Sequence, residues 1–160
     1  MPPAALFGLS IVLGFVAWGL VAAHYIWPAL RRRSREDALR PLLLLHCFRF
    51  IGLAFLVPGV VSPELPRAFA VPAAYGDLVA ALLALLALAA LRSPLGIPLV
   101  WAFNLVGTAD LLHAYYQGRI GVGIEPGQLG AAYFIPTVVV PLLLVTHVLV
   151  FRLLLERDKR

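Results

Sequence analysis

Charged residues are scarce in this sequence: Asp, Glu, Lys and Arg make up 13% of it, whereas 62% of its residues are hydrophobic. A soluble domain carries about 25% charged residues, so the composition disfavours a water-soluble fold. Residues 1–30 contain no charged side chain, and residues 41–61 contain only Arg49. Because about 20 apolar residues in a helix cross the hydrocarbon core of a bilayer, these stretches predict membrane-spanning helices.

Cysteine is almost absent, since Cys47 is the only one. A single thiol excludes an intrachain disulfide and any zinc or iron–sulfur site built on paired thiolates. The glycines between positions 118 and 127 are not followed by Lys-Ser or Lys-Thr, so they form no phosphate-binding loop. No nucleophile and base stand at a usable spacing, which disfavours an enzymatic function without excluding one.

Prolines, glycines and short charged segments divide the apolar sequence into five predicted spans. Pro41 and Pro72 suit the first turns of the second and third spans. The predicted fold is all-α: a five-helix transmembrane bundle that forms a single domain over residues 1–160, with the lipid bilayer as its main partner. The predicted spans are 4–27, 41–61, 72–91, 95–117 and 128–151.

The distribution of basic residues predicts the orientation, because short cytoplasmic loops collect Lys and Arg. With the N-terminus outside and the C-terminus in the cytoplasm, ten basic residues lie on the cytoplasmic side: Arg31, Arg32, Arg33, Arg35, Arg40, Arg92, Arg152, Arg157, Lys159 and Arg160. Only Arg67 and Arg119 then lie outside. Because these basic residues flank apolar spans and are not interleaved with aromatic residues on a polar surface, nucleic acid is not an expected partner.

Ionisable side chains within the spans are the candidates for function, because burying one in hydrocarbon costs about 2.5 to 3.5 kcal/mol on insertion scales. Arg49 is expected to point inward and to pair with Asp77 or Asp110. The fourth span adds Asn104 and, three residues after Asp110, His113. These five residues predict a buried polar cluster that binds a small molecule, an ion or a proton. The alternative is an ion pair that only fixes helix packing.

Three histidines from different spans are expected at a similar depth near the cytoplasmic boundary: His24, His46 and His147. Two such imidazoles can ligate a haem iron, with Arg49 near a propionate, or all three can form a metal or proton site. Histidines that are merely hydrated at the membrane interface are the alternative.

Two further patterns concern helix shape. Pro136 and Pro141 each remove a backbone donor from the fifth span, which predicts a kink. Small residues at Ala80, Ala84 and Ala87 predict a face of the third span that lets neighbouring backbones approach closely.

The sequence contains several short motifs in this order: Arg49-Phe50-Ile51-Gly52, Tyr75-Gly76-Asp77, Trp101-x-x-Asn104-x-x-Gly107-x-x-Asp110, and then Pro136, Pro141 and His147. This pattern resembles a group of bacterial multi-pass membrane proteins that carry no assigned activity, over residues 45–150. The resemblance implies a setting in the bacterial cytoplasmic (inner) membrane and transfers no function.

Three hypotheses follow from these patterns. The first is a non-enzymatic module that binds or conducts a small molecule, ion or proton through the polar cluster. The second is a small b-type haem protein that uses histidines among His24, His46, His113 and His147. The third is a structural or assembly subunit of an oligomer or a larger membrane complex, in which the cluster only sets helix packing.

Overall fold

Residues 1–156 are described by the computed structural model, and this part of the chain is helical without a β-strand. Five helices are long and apolar enough to cross a membrane, by length and composition. They are α1 (Pro3–Leu30), α2 (Arg35–Leu56), α3 (Arg67–Ala90), α4 (Gly96–Gly121) and α5 (Ile135–Leu155). The predicted all-α class is therefore confirmed, and so is the count of five helices whose length and composition suit a membrane span. Arg157, Lys159 and Arg160, which were assigned to the cytoplasmic side, lie outside the described residues.

The starts of α2 and α3 differ from the prediction, because α2 begins at Arg35 with Pro41 inside it, and α3 begins at Arg67 with Pro72 inside it. The Ser34 hydroxyl accepts a hydrogen bond from the Asp37 backbone N–H at 3.2 Å, which caps the helix. Glu36 and Asp37 also place negative charge in the first turn, where the helix dipole favours it. The second half of α2, Cys47–Leu56, is a 3₁₀ helix and ends before Val57, not at Val61.

The start of α5 also differs from the prediction, because residues Pro126–Tyr133 form a separate 3₁₀ segment. Gly130 interrupts this segment with a positive φ of 52°. The neighbouring Ala131 donates its backbone N–H to the Val60 carbonyl at 2.9 Å, and a Cβ at Gly130 would overlap that same carbonyl. Only glycine suits this backbone, and the chain turns here before α5 begins.

Helix α3 packs against both halves of α2 and against α4. Its small-residue face is fully buried, with Ala74, Ala80, Ala84 and Ala87 each at 0% exposure. The predicted close approach of neighbouring helices to this face is therefore confirmed.

Two apolar clusters fill the bundle. One contains Leu39, Leu43, Leu91 and Val150 and lies at the end that carries Arg31 to Arg40, the arginine-rich end. The other contains Phe55, Phe69, Leu111, Leu129 and Leu143 and lies toward the opposite end. Along α2 to α5, the buried polar residues other than Thr137 occur where one cluster gives way to the other. They form a polar layer: His46, Arg49, Asp77, Asn104, Thr146 and His147.

Helix α1 is peripheral, since none of the residues Pro3–Val21 is buried. It is attached to α5 and the preceding segment by hydrogen bonds. Trp18 donates its Nε1–H to the Val138 carbonyl at 3.0 Å, and the Ser10 and Tyr133 hydroxyls lie 3.2 Å apart. The Val138 carbonyl belongs to a π-helical turn at Ile135–Val139. The sequence predicts a helix irregularity at Pro136, and this turn is that irregularity.

Candidate functional site

Arg49 is the centre of the polar layer, and its side chain is fully buried. Its Nε donates to Asp77 Oδ1 at 2.8 Å, and its Nη2 contacts Asp77 Oδ1 at 2.8 Å and Asp110 Oδ2 at 2.6 Å. Its Nη1 lies 3.1 Å from the Gly107 carbonyl and 3.3 Å from His147 Nε2. A guanidinium has five N–H groups, and this set of acceptors satisfies all of them.

The protonation of His147 follows from its partners. Arg49 can only donate hydrogen bonds, so His147 Nε2 accepts one and carries no proton. The proton of the ring is then on Nδ1, which donates to Asn104 Oδ1 at 2.6 Å. Asn104 Nδ2 in turn donates to the His147 backbone carbonyl at 3.3 Å. His147 is therefore neutral, and with both carboxylates ionised the network carries one net negative charge.

Three glycines let the charged groups of the network approach the helices closely. A Cβ at Gly52 would overlap the Asp77 carboxylate, and one at Gly76 would overlap the Asp110 carboxylate. A Cβ at Gly107 would lie 2.6 Å from Arg49 Nη1 and 2.7 Å from His147 Cε1. Sequence reasoning assigned no role to these glycines. The available signal was their spacing, since Gly52 follows Arg49 by one helical turn and Gly107 lies one turn from both Asn104 and Asp110.

A cavity of about 520 Å³ lies between α1 and the rest of the bundle. Its walls come from the first half of α1, the start of α3, the end of α4 and the start of α5. Asp77 of the polar layer lines the cavity from α3, and Asp110 lines it from α4. Six aromatic residues line the remaining walls: Phe7, Phe15, Phe55, Phe69, Tyr115 and Tyr116.

Each carboxylate at the cavity uses only one of its oxygens within the network. Asp77 Oδ1 and Asp110 Oδ2 accept hydrogen bonds from Arg49. Among residues 1–156, Asp77 Oδ2 and Asp110 Oδ1 accept none, although the two side chains are only 7% and 15% exposed. Asp77 and Asp110 therefore line a mainly apolar cavity, and each keeps one carboxylate oxygen without a donor in the described chain. Asp77 Oδ2 lies against Gly52, and Asp110 Oδ1 lies against Gly76.

Comparison with known proteins gives a family but no activity. A family model described as a domain of unknown function, DUF8737, matches residues 6–155. The chain belongs to the DUF8737 family. No curated protein and no solved structure matches it. The match covers the polar layer and every residue lining the cavity except Ala4, and it agrees with the expected likeness to a family without an assigned activity.

The five predicted residues of the polar cluster are not all joined in this DUF8737 chain. The network contains Arg49, Asp77, Asn104 and Asp110, and Arg49 meets both carboxylates where the sequence suggested either one. His113 is exposed on α4, and within the described residues its side chain makes no hydrogen bond or ion pair. The three-residue spacing from Asp110 does not produce a direct contact, because Asp110 is turned toward Arg49.

The three histidines predicted for haem or metal are separated. His46 and His147 are buried with ring centroids 4.2 Å apart, whereas His24 is exposed on α1. Rings this close leave no space for a porphyrin between them, and both nitrogens of His147 are already hydrogen-bonded. No group of three His, Cys, Asp or Glu residues within 1–156 is placed to hold a metal ion. The predicted haem or metal site does not fit this arrangement.

His46 differs from His147 in its hydrogen bonding. Its Nε2 lies 3.0 Å from the Thr146 hydroxyl, and its Nδ1 is buried without a hydrogen-bond partner in the described chain. The ring packs edge-on against Phe103 with centroids 4.9 Å apart. His46 therefore closes the side of the network that faces the arginine-rich end.

Proposed function

We propose that this chain is an integral membrane protein that binds a small, mostly apolar molecule in the cavity, with the buried carboxylates as its polar anchor. The observation that carries the proposal is the position of Asp77 and Asp110, which line a mainly apolar cavity while each keeps one oxygen without a donor among residues 1–156. Ligand sites in proteins are typically apolar cavities of about 300 to 1,000 Å³ with a few placed polar groups, and this cavity matches that description.

The proposed setting is the bacterial cytoplasmic membrane, with the chain as a single transmembrane domain whose N-terminus lies outside and whose C-terminus lies in the cytoplasm. Grouping of arginines at one end of the bundle supports this orientation. Arg152, at the end of α5, lies 3.8 Å over the Trp27 ring, at the end of α1. Arg35 donates to the Glu156 carbonyl at the same end. In this orientation the cavity lies in the outer half of the bundle.

Binding is favoured over permeation by the packing beyond the carboxylates. None of the residues lining the cavity belongs to the apolar cluster at the arginine-rich end. Arg49, His147 and His46 fill the polar layer between that cluster and the cavity. An ion or proton that crossed the bundle would have to open this layer, whereas a ligand can occupy the cavity without disturbing it.

A pair of glycine variants on α1 tests the proposal. Gly8 lines the cavity and Gly19 does not, and a Cβ at either position meets no atom within 4 Å. Gly8→Phe should fill part of the cavity, while Gly19→Phe adds the same side chain elsewhere on the helix. A ligand that binds only the folded state raises the unfolding temperature. Naphthylmethanol, an apolar neutral probe, should therefore stabilise the purified wild type and Gly19→Phe, and should stabilise Gly8→Phe much less.

Equal stabilisation of both glycine variants by naphthylmethanol, or no stabilisation of the wild type, would contradict the proposed binding site. Partition of the probe into detergent affects the two variants alike, so the comparison isolates the cavity.

A structural role for the network is the second candidate, because Arg49 joins α2 to α3, α4 and α5 through its five donors. Asp110→Asn separates the two candidates, since the amide oxygen can still accept from Arg49. If the variant folds with normal stability but binds differently, the binding role gains support. If the variant unfolds, the structural role gains support, and the next measurement is whether the protein assembles into a larger complex.

A further inference from the structure

We infer that the ligand of the cavity is an organic cation: a protonated amine carried on an apolar body. This inference rests on the proposed binding function and adds the chemical class of the ligand. Three independent features of the site point to it, namely the charge of the network, the hydrogen-bonding character of its free atoms and the composition of the walls.

The charge of the network is unbalanced. Arg49 is the only cation in the polar layer, because His147 accepts from Arg49 and is neutral, and His46 Nδ1 has no acceptor in the described chain for a second proton on that ring. The five N–H groups of Arg49 are already used, so the guanidinium cannot turn toward the second oxygens of Asp77 and Asp110. A buried charge that is incompletely balanced is unfavourable. A positive group that arrives from the cavity would offset the excess negative charge of the ionised pair.

The free atoms at the end of the cavity are both acceptors. Asp77 Oδ2 and Asp110 Oδ1 have no donor within residues 1–156, and an ionised carboxylate has no proton to donate. A carboxylate, phosphate or carbonyl ligand would place acceptor against acceptor. An ammonium offers up to three N–H donors, and charge-assisted hydrogen bonds are roughly twice as strong as neutral ones.

The walls match an organic body and not a hydrated inorganic ion. The lining is mainly aliphatic and aromatic, with Phe7, Phe15, Phe55, Phe69, Tyr115 and Tyr116 among its side chains. Aromatic faces attract cations and also bury apolar surface. An inorganic cation would leave most of this surface without contacts.

One basic residue, Arg119, also lines the cavity. Its side chain is exposed, whereas the side chains of Asp77 and Asp110 are only 7% and 15% exposed. Water and salt screen an exposed charge far more than a buried one. Arg119 therefore does not reverse the preference for a cation at the carboxylate end.

Three probes with one apolar body and different charges test the inference on the purified full-length protein in an uncharged detergent: naphthylmethylamine, naphthylmethanol and naphthylacetate. Dissociation constants come from the dependence of the unfolding temperature on probe concentration. We expect the amine to bind at least about tenfold more tightly than the alcohol, since a charge-assisted bond replaces a neutral one. We expect the carboxylate to bind most weakly.

Two variants and a control locate the preference. Asp110→Asn and Asp77→Asn should each remove most of the advantage of the amine over the alcohol, while binding of the alcohol persists. Glu64→Gln removes the same charge from the exposed loop before α3, at the same end of the molecule, and should leave the advantage unchanged.

The outcomes separate the two proposals. Equal affinity for the amine and the alcohol, or tightest binding of the carboxylate, overturns the cation inference and leaves the binding function standing. An amine preference that survives both aspartate substitutions also overturns it. If no probe binds the wild type, the proposed binding function itself fails. If either aspartate variant does not fold, the dissociation constants of the three probes for the wild type still test the cation inference.

Discussion

Arg49 is buried completely, and four helices are arranged so that each of its N–H groups has an acceptor. The penalty for taking a charged group out of water amounts to several kcal/mol per ion, and good geometry with complete hydrogen bonding is needed to offset it. The guanidinium suits this position because its planar fork serves several acceptors at once, which the point charge of a lysine cannot do. The strength of the network therefore depends on all of its partners together.

Replacement of Arg49 tests that dependence. Arg49→Leu should lower the free energy of unfolding by about 3 to 5 kcal/mol, because two carboxylates are left buried without a cation. Arg67→Leu removes an arginine that is exposed at the start of α3, and it should change the free energy of unfolding by less than about 0.5 kcal/mol. Denaturant unfolding of both variants in mixed micelles measures the difference. Similar small changes in both would show that Arg49 is not in the buried network.

Gly76 makes a second prediction at the scale of single residues. Gly76→Ala should destabilise the protein by about 1 to 3 kcal/mol, because its Cβ would overlap the Asp110 carboxylate. Gly19→Ala places a Cβ where nothing lies within 4 Å, so better helix propensity should stabilise the protein by up to about 1 kcal/mol. Opposite signs in thermal unfolding are expected. A stabilising effect of Gly76→Ala would rule out the close approach of α4 to α3.

At the scale of helices, the π-helical turn of α5 holds the peripheral α1. The wide turn leaves carbonyls that other helices reach: Tyr115 of α4 donates to the Pro136 carbonyl at 2.8 Å, and Trp18 of α1 donates to the Val138 carbonyl at 3.0 Å. A Cβ at Gly14 would overlap the Thr137 carbonyl, so α1 and α5 touch backbone to backbone here. The irregular turn thus serves helix packing and also positions one wall of the cavity.

Loss of the Trp18 hydrogen bond should loosen that wall. Trp18→Phe should lower the free energy of unfolding by about 1 kcal/mol and weaken binding of naphthylmethanol, because the Trp18 bond is one of two side-chain hydrogen bonds that join Pro3–Val21 to the rest of the described chain. Trp101→Phe is the matched control, since the Trp101 ring packs against Phe151 with centroids 5.9 Å apart and its Nε1 has no hydrogen bond within the described residues. The Trp101→Phe variant should bind naphthylmethanol as tightly as the wild type does. Equal weakening in both variants would mean that the Trp18 bond does not hold the wall.

At the scale of the whole molecule, the bundle is divided into an arginine-rich end with a tightly packed apolar cluster and an opposite end that contains the cavity. The polar layer separates the two. Because the cavity lies toward one end of the bundle, the orientation in the membrane decides on which side of the cell the cavity lies.

Cysteine labelling in intact cells tests the proposed orientation, in a Cys47→Ala background that removes the native thiol. Glu64→Cys lies in the exposed loop before α3, and Ser93→Cys lies in the exposed loop between α3 and α4. A membrane-impermeant maleimide should label Glu64→Cys and should label Ser93→Cys only after the cells are opened. The reverse pattern would invert the orientation and place the cavity on the cytoplasmic side.

Sequence reasoning placed the five apolar helices well and their ends less well. Hydropathy is a local property, so runs of apolar residues identify α1 to α5 without any tertiary information. The ends depend on specific contacts that hydropathy does not report. Ser34 caps α2 before Pro41, and the positive φ of Gly130 against the Val60 carbonyl delays the start of α5.

The sequence by itself determined that Arg49 needs a buried carboxylate, because a guanidinium in an apolar span cannot remain unpaired. Only the tertiary structure decided that it meets both Asp77 and Asp110, that His147 joins them while His24 and His113 do not, and that an apolar cavity lies beside the carboxylates. The physical reason is helix rotation. Which side of a helix faces its neighbours is set by packing against the other helices, and in spans that are apolar on every side the sequence carries little record of it.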